Sequence, residues 1–379
     1  MRILHTSDWH IGRTFHGVDL LADQERVLTD MAELVAAHQV DVLVLSGDVY
    51  DRAVPSAEAV GVCTRVLERV RAAGAVIVAT SGNHDSAPRL GAAASFAAAG
   101  GLHLRTKVAD LDTPVLLADE HGEVAFYGLP FLEPDTARHA LQQPGARTHA
   151  AVLAAAMDRV RADLVSRPGT RSIVLAHAFV VGAAAAGSER SISVGGVETV
   201  PVGVFDGVDY VALGHLHSPQ TLTERVRYSG SPLPYSFGER HHRKAAWLVD
   251  LDAAGLAEVR ELRLPVVRGL SELEGTLPEL LEGPQHAQAE AHYVSAVLTD
   301  DVRPMEAMRQ LRRRFPCAVH LEWRRPAGHR ELRYAERVRG RSDAQVAHSF
   351  LTDVRGRPGP TESKLMELAF AAGAAGPPP

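Results

Sequence analysis

A chain of 379 residues that is 46% hydrophobic and 23% charged is ordinary for a globular protein and long enough for one large domain with smaller appendages. Its formal net charge of −6 carries no general signal for nucleic acid, and no apolar run reaches the ~18 residues that a membrane span needs. Cys63 and Cys317 are too few for a disulfide framework or a zinc knuckle, and they fit a reducing cytosol.

The opening MRILHTSDWH has a short apolar stretch that breaks at Asp8 with no cleavage-type sequence after it, which excludes a signal peptide. RILHTS reads as a strand, residues 23–37 as a helix and DVLVLS (41–46) as a second strand. A helix from Pro55 to Ala72 follows, then a third strand, AVIVAT (75–80). Further strands are expected at VAFYGL (124–129), SIVLAH (172–177), VDYVALG (208–214), RVRYSG (225–230) and AAWLVDL (245–251). Strands alternating with helices predict an α/β fold with helices on both faces of a sheet. The later strands come close together without helices, which predicts antiparallel pairing and a second stacked layer. Composition shifts near Pro265. Residues 266–291 read as a linker with one short helix, and AHYVSAVLTD, MEAMRQLRRRF and CAVHLEW as strand, helix and strand of a small α/β module. From Asp343 the pattern is helical, breaks at RPGP and resumes, and the GPPP ending predicts disorder. The expected organisation is a core over 1–265, a module over 266–340, a helix pair over 341–372 and a disordered tail over 373–379.

Five short motifs end or follow these strands: Asp8-Trp9-His10, Gly47-Asp48, Gly82-Asn83-His84-Asp85, His177, and Gly214-His215-Leu216-His217. Open α/β sheets put their ligand sites at the carboxyl ends of strands. In D-x-H and H-x-H, a spacing of two puts both side chains on one side of an extended backbone. Asp, Asn and His make a mixed oxygen–nitrogen donor set that suits manganese, iron or zinc and is poor for magnesium or calcium alone. Gly47, Gly82 and Gly214 let the backbone turn beside each ligand. Two cations ~3.5–4 Å apart can deprotonate a bridging water at neutral pH and clamp the oxygens of an in-line phosphoryl displacement, with Asp48 the natural carboxylate between them. A single Asp-x-His is ordinary surface polarity and a single strand-end histidine is commonly core. Five such motifs in order point to a two-metal phosphoesterase.

The order D-x-H, GD, GNHD, H, GHxH resembles that of the calcineurin-like metallophosphoesterases. Within that family, ILHTSDWHIGR, GDVYD, YSGSPLPYSFGE (228–239) and the terminal helix pair are similar to the SbcD-type nuclease subunits of bacterial double-strand-break repair complexes, over residues 1–372. The resemblance implies a two-layered β-sandwich flanked by helices, a small α/β domain capping DNA, and C-terminal helices. It implies 3′→5′ exonuclease and single-strand or hairpin endonuclease activity on DNA with two divalent metal ions, manganese in first place. Its implied partner is an SbcC-type coiled-coil ATPase, which uses the ATP, with this chain a homodimer within a heterotetramer. The implied location is cytoplasmic and nucleoid-associated, with no membrane. Asp8, His10, Asp48 and His217 would hold one metal, and Asp48, Asn83, His177 and His215 the other. His84 would face the scissile phosphate as acid or transition-state stabiliser.

Asp51 stands where the archaeal and eukaryotic nucleases have a histidine. Aspartate there is similar to the bacterial subunits and to protein phosphatases, in which it orients the active-site histidine. An Asp51–His84 pair is therefore expected, with the carboxylate fixing the imidazole's tautomer; a helix cap is the other reading of Asp51. Arg52 either meets a phosphate or is solvated. From Arg303 to Arg341 there are 12 arginines against four glutamates, among them Arg312, Arg313 and Arg314. That asymmetry suits a DNA backbone. Because every basic residue except Lys107, Lys244 and Lys364 is arginine, a solvated surface is the other reading. Apolar residues at Val346, Phe350, Leu351, Val354, Leu365, Leu368, Ala369 and Phe370 predict that the helix pair docks on the ATPase. Loop 182–200 reads as an ordinary surface loop. Two rival readings stay open: a phosphatase or cyclic-nucleotide phosphodiesterase of the same family, and a non-catalytic DNA-repair scaffold.

Overall fold

The structure, a computed structural model, describes residues 1–182, 199–324 and 339–374. Most of loop 182–200, the arginine-rich stretch 325–338 and the tail 375–379 lie outside the described residues. The chain forms two compact units, Met1–Val267 and the residues from Arg268 onward.

The first unit holds β1 (Arg2–Thr6), a short hairpin of β2 (Thr14–Phe15) and β3 (Val18–Asp19), β4 (Val42–Ser46), β5 (Val76–Thr80) and β6 (Leu102–Arg105). It continues with β7 (Val115–Asp119), β8 (Gly122–Leu129), β9 (Arg171–His177), β10 (Tyr210–Gly214), β11 (Gln220–Thr221), β12 (Val226–Tyr228), β13 (Ala245–Asp252) and β14 (Gly255–Arg263). One six-stranded sheet runs in the order β14-β13-β1-β4-β5-β6, the other β11-β12-β10-β9-β8-β7.

The sheets stack because their inner faces are apolar: Ile3, Val44 and Val78 of the first pack with Phe126, Ile173, Leu175 and Tyr210 of the second. The outward residues are apolar too, since helices cover them. Tyr127, Val174, Ala176 and Val211 meet Val152, Ala156, Met157 and Val160 of the helix His149–Val165. On the other side α1 (Leu21–Ala37) and α2 (Ala57–Ala72) bury Val27, Leu28 and Met31, and Val62, Val66 and Val70, at helical spacing. Strands covered on both faces read as continuous apolar runs rather than alternating ones, as VLVLS does.

The antiparallel pairing expected of the late strands holds for β13, which pairs antiparallel with β1 and β14. It fails for β10 and β12, which run parallel. The reason is β11: two residues long and antiparallel to β12, it reverses the chain between them, and a strand that short leaves no pattern to read. The carboxyl ends of β1, β4, β9 and β10 therefore all lie at one end of the sandwich.

In the second unit, β15 (Leu270–Gly275), β16 (Tyr293–Leu298) and β17 (Ala318–Trp323) form a parallel sheet. Residues 266–291 are thus not a linker; they contain the first strand of the module and the capped helix Leu277–Glu282. Leu273, Leu280, Val294, Leu298, Leu311 and Phe315 make its core. Of the three consecutive arginines, Arg312 donates to the Ala318 carbonyl at 3.0 Å, and Arg314 donates to Glu290 and to the Leu280 carbonyl, both at 2.9 Å. Arg313 is exposed. Two of the three are engaged within the module. The terminal helices are Asp343–Arg355 and Pro360–Ala374, so the second runs past the boundary expected for the tail. Among the described residues, no helix is long and apolar enough to cross a membrane.

The helix cap after Asp51 belongs to Ser56, whose side chain accepts the Ala59 N–H at 3.2 Å. Ser56→Ala should cost about 1 kcal/mol in a urea melt, with metal content unchanged; a midpoint identical to wild type would remove Ser56 as the cap.

Candidate metal centre

Five loops at the strand ends are stitched together by backbone groups. The Asp8 N–H donates to the Gly47 carbonyl at 3.1 Å and the His10 N–H to the Asp48 carbonyl at 2.9 Å, joining the loops after β1 and β4. The His84 N–H donates to Asp48 Oδ1 at 2.8 Å, and the His215 N–H to Asp8 Oδ1 at 3.0 Å. Asp85 accepts from the N–H groups of Val49, Tyr50 and Gly82 at 3.1, 3.0 and 2.9 Å, clamping the loop after β4 to the one after β5. A Cβ on Gly82 would strike the Asp48 carboxylate, and one on Gly214 the Ser46 carbonyl. Hence both must be glycine.

Asp8, His10, Asp48 and His215 all have positive φ, at 54°, 46°, 50° and 107°. Four candidate ligands thus sit in backbone states that L residues avoid, a strain that persists where the surroundings over-determine the chain. The extended backbone expected for D-x-H and H-x-H is absent. Asp8 and His10 still converge, whereas His215 and His217 part: His217 joins Asp8 and His10, and His215 packs edge-on against His177 with 5.3 Å between centroids.

Three buried groups place their ligand atoms within 4.8 Å of one another: Asp8, His10 and His217; His10, Asp48 and His84; and Asp8, Asp48 and His177. Asp48 stands between two sides, its Oδ2 lying 3.6 Å from His10 Nε2 and 3.4 Å from His177 Nε2. Asn83 Oδ1 lies 2.9 Å from His177 Nε2.

The tautomers follow from what each outer nitrogen meets. His177 Nδ1 lies 2.9 Å from the Ser46 carbonyl and His217 Nδ1 3.2 Å from Glu239 Oε1, oxygens that accept, so both Nδ1 atoms carry hydrogen. His10 Nδ1 has no hydrogen-bond partner but points at Asp51 Oδ1 from 3.6 Å, which also favours a proton there. In the neutral rings the Nε2 lone pairs then face acceptors. His10 and His217 Nε2 oppose each other at 3.1 Å, and His177 Nε2 opposes Asn83 Oδ1 and Asp48. Only a positive charge between such pairs makes them attractive. The residues fit divalent cations.

Protons compete for that place. Burial pulls the His177 imidazole down, but the Asp48 and Asp8 carboxylates outweigh it and raise it to about 9. Burial pushes Asp8 up, to about 6. Asp48 is held below the usual carboxylate range, because His177 and His10 outweigh its burial. His10 and His215 are driven down to about 3 by burial and so stay neutral, as ligands must.

The Asp51–His84 pair takes a different form from the one expected. His84 Nδ1 lies 2.8 Å from the main-chain carbonyl of Asp51, while the Asp51 carboxylate is 3.9 Å away. That carboxylate lies closer to Arg13, at 3.3 Å, and to His10. The backbone therefore sets the His84 tautomer. Arg52 is 74% exposed at the rim, 3.8 Å from Asp51.

Residues 1–219 match the calcineurin-like phosphoesterase family. The chain belongs to that family. It is therefore a hydrolytic phosphoesterase with a metal centre of Asp and His residues. It is 29% identical over 323 residues to SbcD, the nuclease component of SbcCD, from Staphylococcus epidermidis, covering 85% of each chain. It is also similar to the crystal structure of a dimetal phosphatase from Danio rerio, with a TM-score of 0.39 and 14% identity over 70% of this chain and 98% of that one.

Sequence reasoning gave no role to Asp85 or to the pair Glu239–Lys244 behind His217. Lys244 carried a signal: it is one of three lysines in a chain that otherwise uses arginine, and it is buried.

Because a proton must leave His177 before a cation enters, acid should weaken metal binding. Apparent affinity should rise roughly tenfold per pH unit up to about 9, and more steeply below about 6 where Asp8 is also protonated. Calorimetry in buffers of different ionisation enthalpy reads the released proton; an affinity that is flat from pH 6 to 8 would contradict this.

Proposed function

We propose that this chain is a metal-dependent DNA nuclease, a double-strand 3′→5′ exonuclease and single-strand or hairpin endonuclease, using two divalent cations, manganese in the cell. The observation that carries a two-metal reading is Asp48, a buried carboxylate shared between two groups of ligand atoms. The nuclease reading is supported by the similarity to an SbcD nuclease across 85% of the chain.

Asp8, His10, Asp48 and His217 would hold one cation, and Asp48, Asn83, His177 and His215 the other. Bound together they would lower the pKa of a water and neutralise phosphate charge. Asp48 keeps its bridging position because the His84 N–H fixes one of its oxygens. His84, with Nδ1 committed to the Asp51 carbonyl, keeps Nε2 for substrate. In its imidazolium form that nitrogen donates a proton toward the developing charge on the phosphate or the leaving oxygen. Asp51 thus acts on His84 through its backbone, and its carboxylate faces His10 and Arg13. Arg52 at the rim, Arg313 and the other arginines of 266–340, which we read as a DNA-capping module, supply contacts to the phosphate backbone.

The terminal helices leave Phe350, Leu365 and Leu368 52%, 62% and 57% exposed. Two apolar stripes left open on a short helix pair fit docking onto an SbcC-type coiled-coil ATPase, with this chain a homodimer within a heterotetramer in the cytoplasm.

Asp48→Asn should abolish Mn²⁺-dependent cleavage of blunt duplex and hairpin DNA while the fold stays intact; cleavage by the folded variant would end the two-metal reading. His84→Ser should keep both metals and lose turnover. Because His84 lies within reach of His10 and Asp48, metal content by elemental analysis decides its role, and a loss of one equivalent would make it a ligand. Truncation after Arg341 should abolish co-purification with the ATPase and leave cleavage of a single-stranded substrate unchanged.

A further inference from the structure

The segment between β12 and β13 crosses from one sheet to the other over the metal end of the sandwich, and it carries a buried acid–base pair. Lys244 Nζ donates to Glu239 Oε2 at 2.5 Å, to Ser231 Oγ at 2.9 Å and to the main-chain carbonyl of His217 at 2.8 Å. The other carboxylate oxygen, Glu239 Oε1, lies 3.2 Å from His217 Nδ1. The turn Phe237–Glu239 is anchored by Phe237 against Phe15, 5.1 Å between centroids. One cation thus ties together the H-x-H loop, the Ser229–Leu233 stretch and the glutamate behind the histidine.

A buried ion pair is weak evidence for stability, since apolar replacements commonly stabilise as well. Its geometry here serves another end. Glu239 accepts the Nδ1 proton, which aims the Nε2 lone pair of His217 at Asp8 and His10. Lys244 fixes both the glutamate and the backbone from which His217 projects. We infer that Glu239 is a positioning residue for His217, held in place by Lys244, and that together they set the affinity of the cation bound by Asp8, His10 and His217. This rests on the metal reading above. Histidines that ligate metals are oriented in this way by a carboxylate on the far nitrogen.

The test uses the full chain. Glu239→Ala with Lys244→Met removes both charges and leaves neither buried alone. We expect that the metal-free double variant melts within a few degrees of wild type. One of its two Mn²⁺ should bind ~10–100-fold more weakly and the other normally, and the Co²⁺ absorption spectrum should lose one site's signature. Glu239→Gln, which keeps an acceptor, should recover most of the affinity. Two Mn²⁺ bound by the double variant with wild-type affinity would overturn the inference. If the double variant does not fold, Glu239→Asp decides: it keeps the charge but withdraws the acceptor, and unchanged affinity overturns the inference equally. Asp48→Asn in the same assay separates the two claims, because a variant that keeps both metals there refutes the metal centre itself.

Discussion

The constraint on which the rest of this structure depends is the burial of acceptors against acceptors. Asp8 and Asp48 are buried in one cluster, and the Nε2 atoms of His10, His177 and His217 turn toward one another or toward oxygens. Without positive charge such a cluster repels itself in a poorly screening interior. The fold assembles it by spending hydrogen on the outer side of each ring, on the Ser46 carbonyl and on Glu239. Each imidazole is thereby neutral and turned lone-pair inward. Cations supply the missing attraction, and where they are absent the raised affinity of His177 and Asp8 for protons fills the same need.

Holding that cluster takes a rigid end to the sandwich. Four ligand residues at positive φ mean that each loop turns on itself immediately after its strand. Those turns persist because neighbours grip their backbone: Asp85 holds three N–H groups, and the carboxylates of Asp8 and Asp48 hold two more. The ligands are thus part of the scaffold that positions them. Asp85 is itself raised to about 7 by burial and by Asp48, which measures what this arrangement costs.

The second unit follows a different economy of charge. Its parallel sheet is closed by Leu280, Leu311 and Phe315, while its arginines divide between internal contacts, as for Arg312 and Arg314, and solvent, as for Arg313. A run of arginines is therefore not one basic surface: on a helix, successive residues point in different directions, and only some reach outward. The apolar stripes of the terminal helices are the opposite case, since Phe350, Leu365 and Leu368 stay open.

The sequence by itself determined the strands, the family and the places of the seven candidate ligands, because each motif is a few residues long and sits at the end of a strand whose apolar run is unmistakable. Local patterns survive folding unchanged. Contacts that join distant segments were decided only by tertiary structure. His10 meets His217 across 207 positions and His84 meets the Asp51 carbonyl across 33, and neither the facing lone pairs nor the choice of backbone over carboxylate has a local signature. The same holds for β11, whose two residues reverse the chain, and for β15, hidden in a segment without alternation. It holds most of all for Glu239 and Lys244, which matter because the chain crosses from one sheet to the other above the metals. That crossing depends on β12 and β13 belonging to different sheets, which is a property of the whole sandwich.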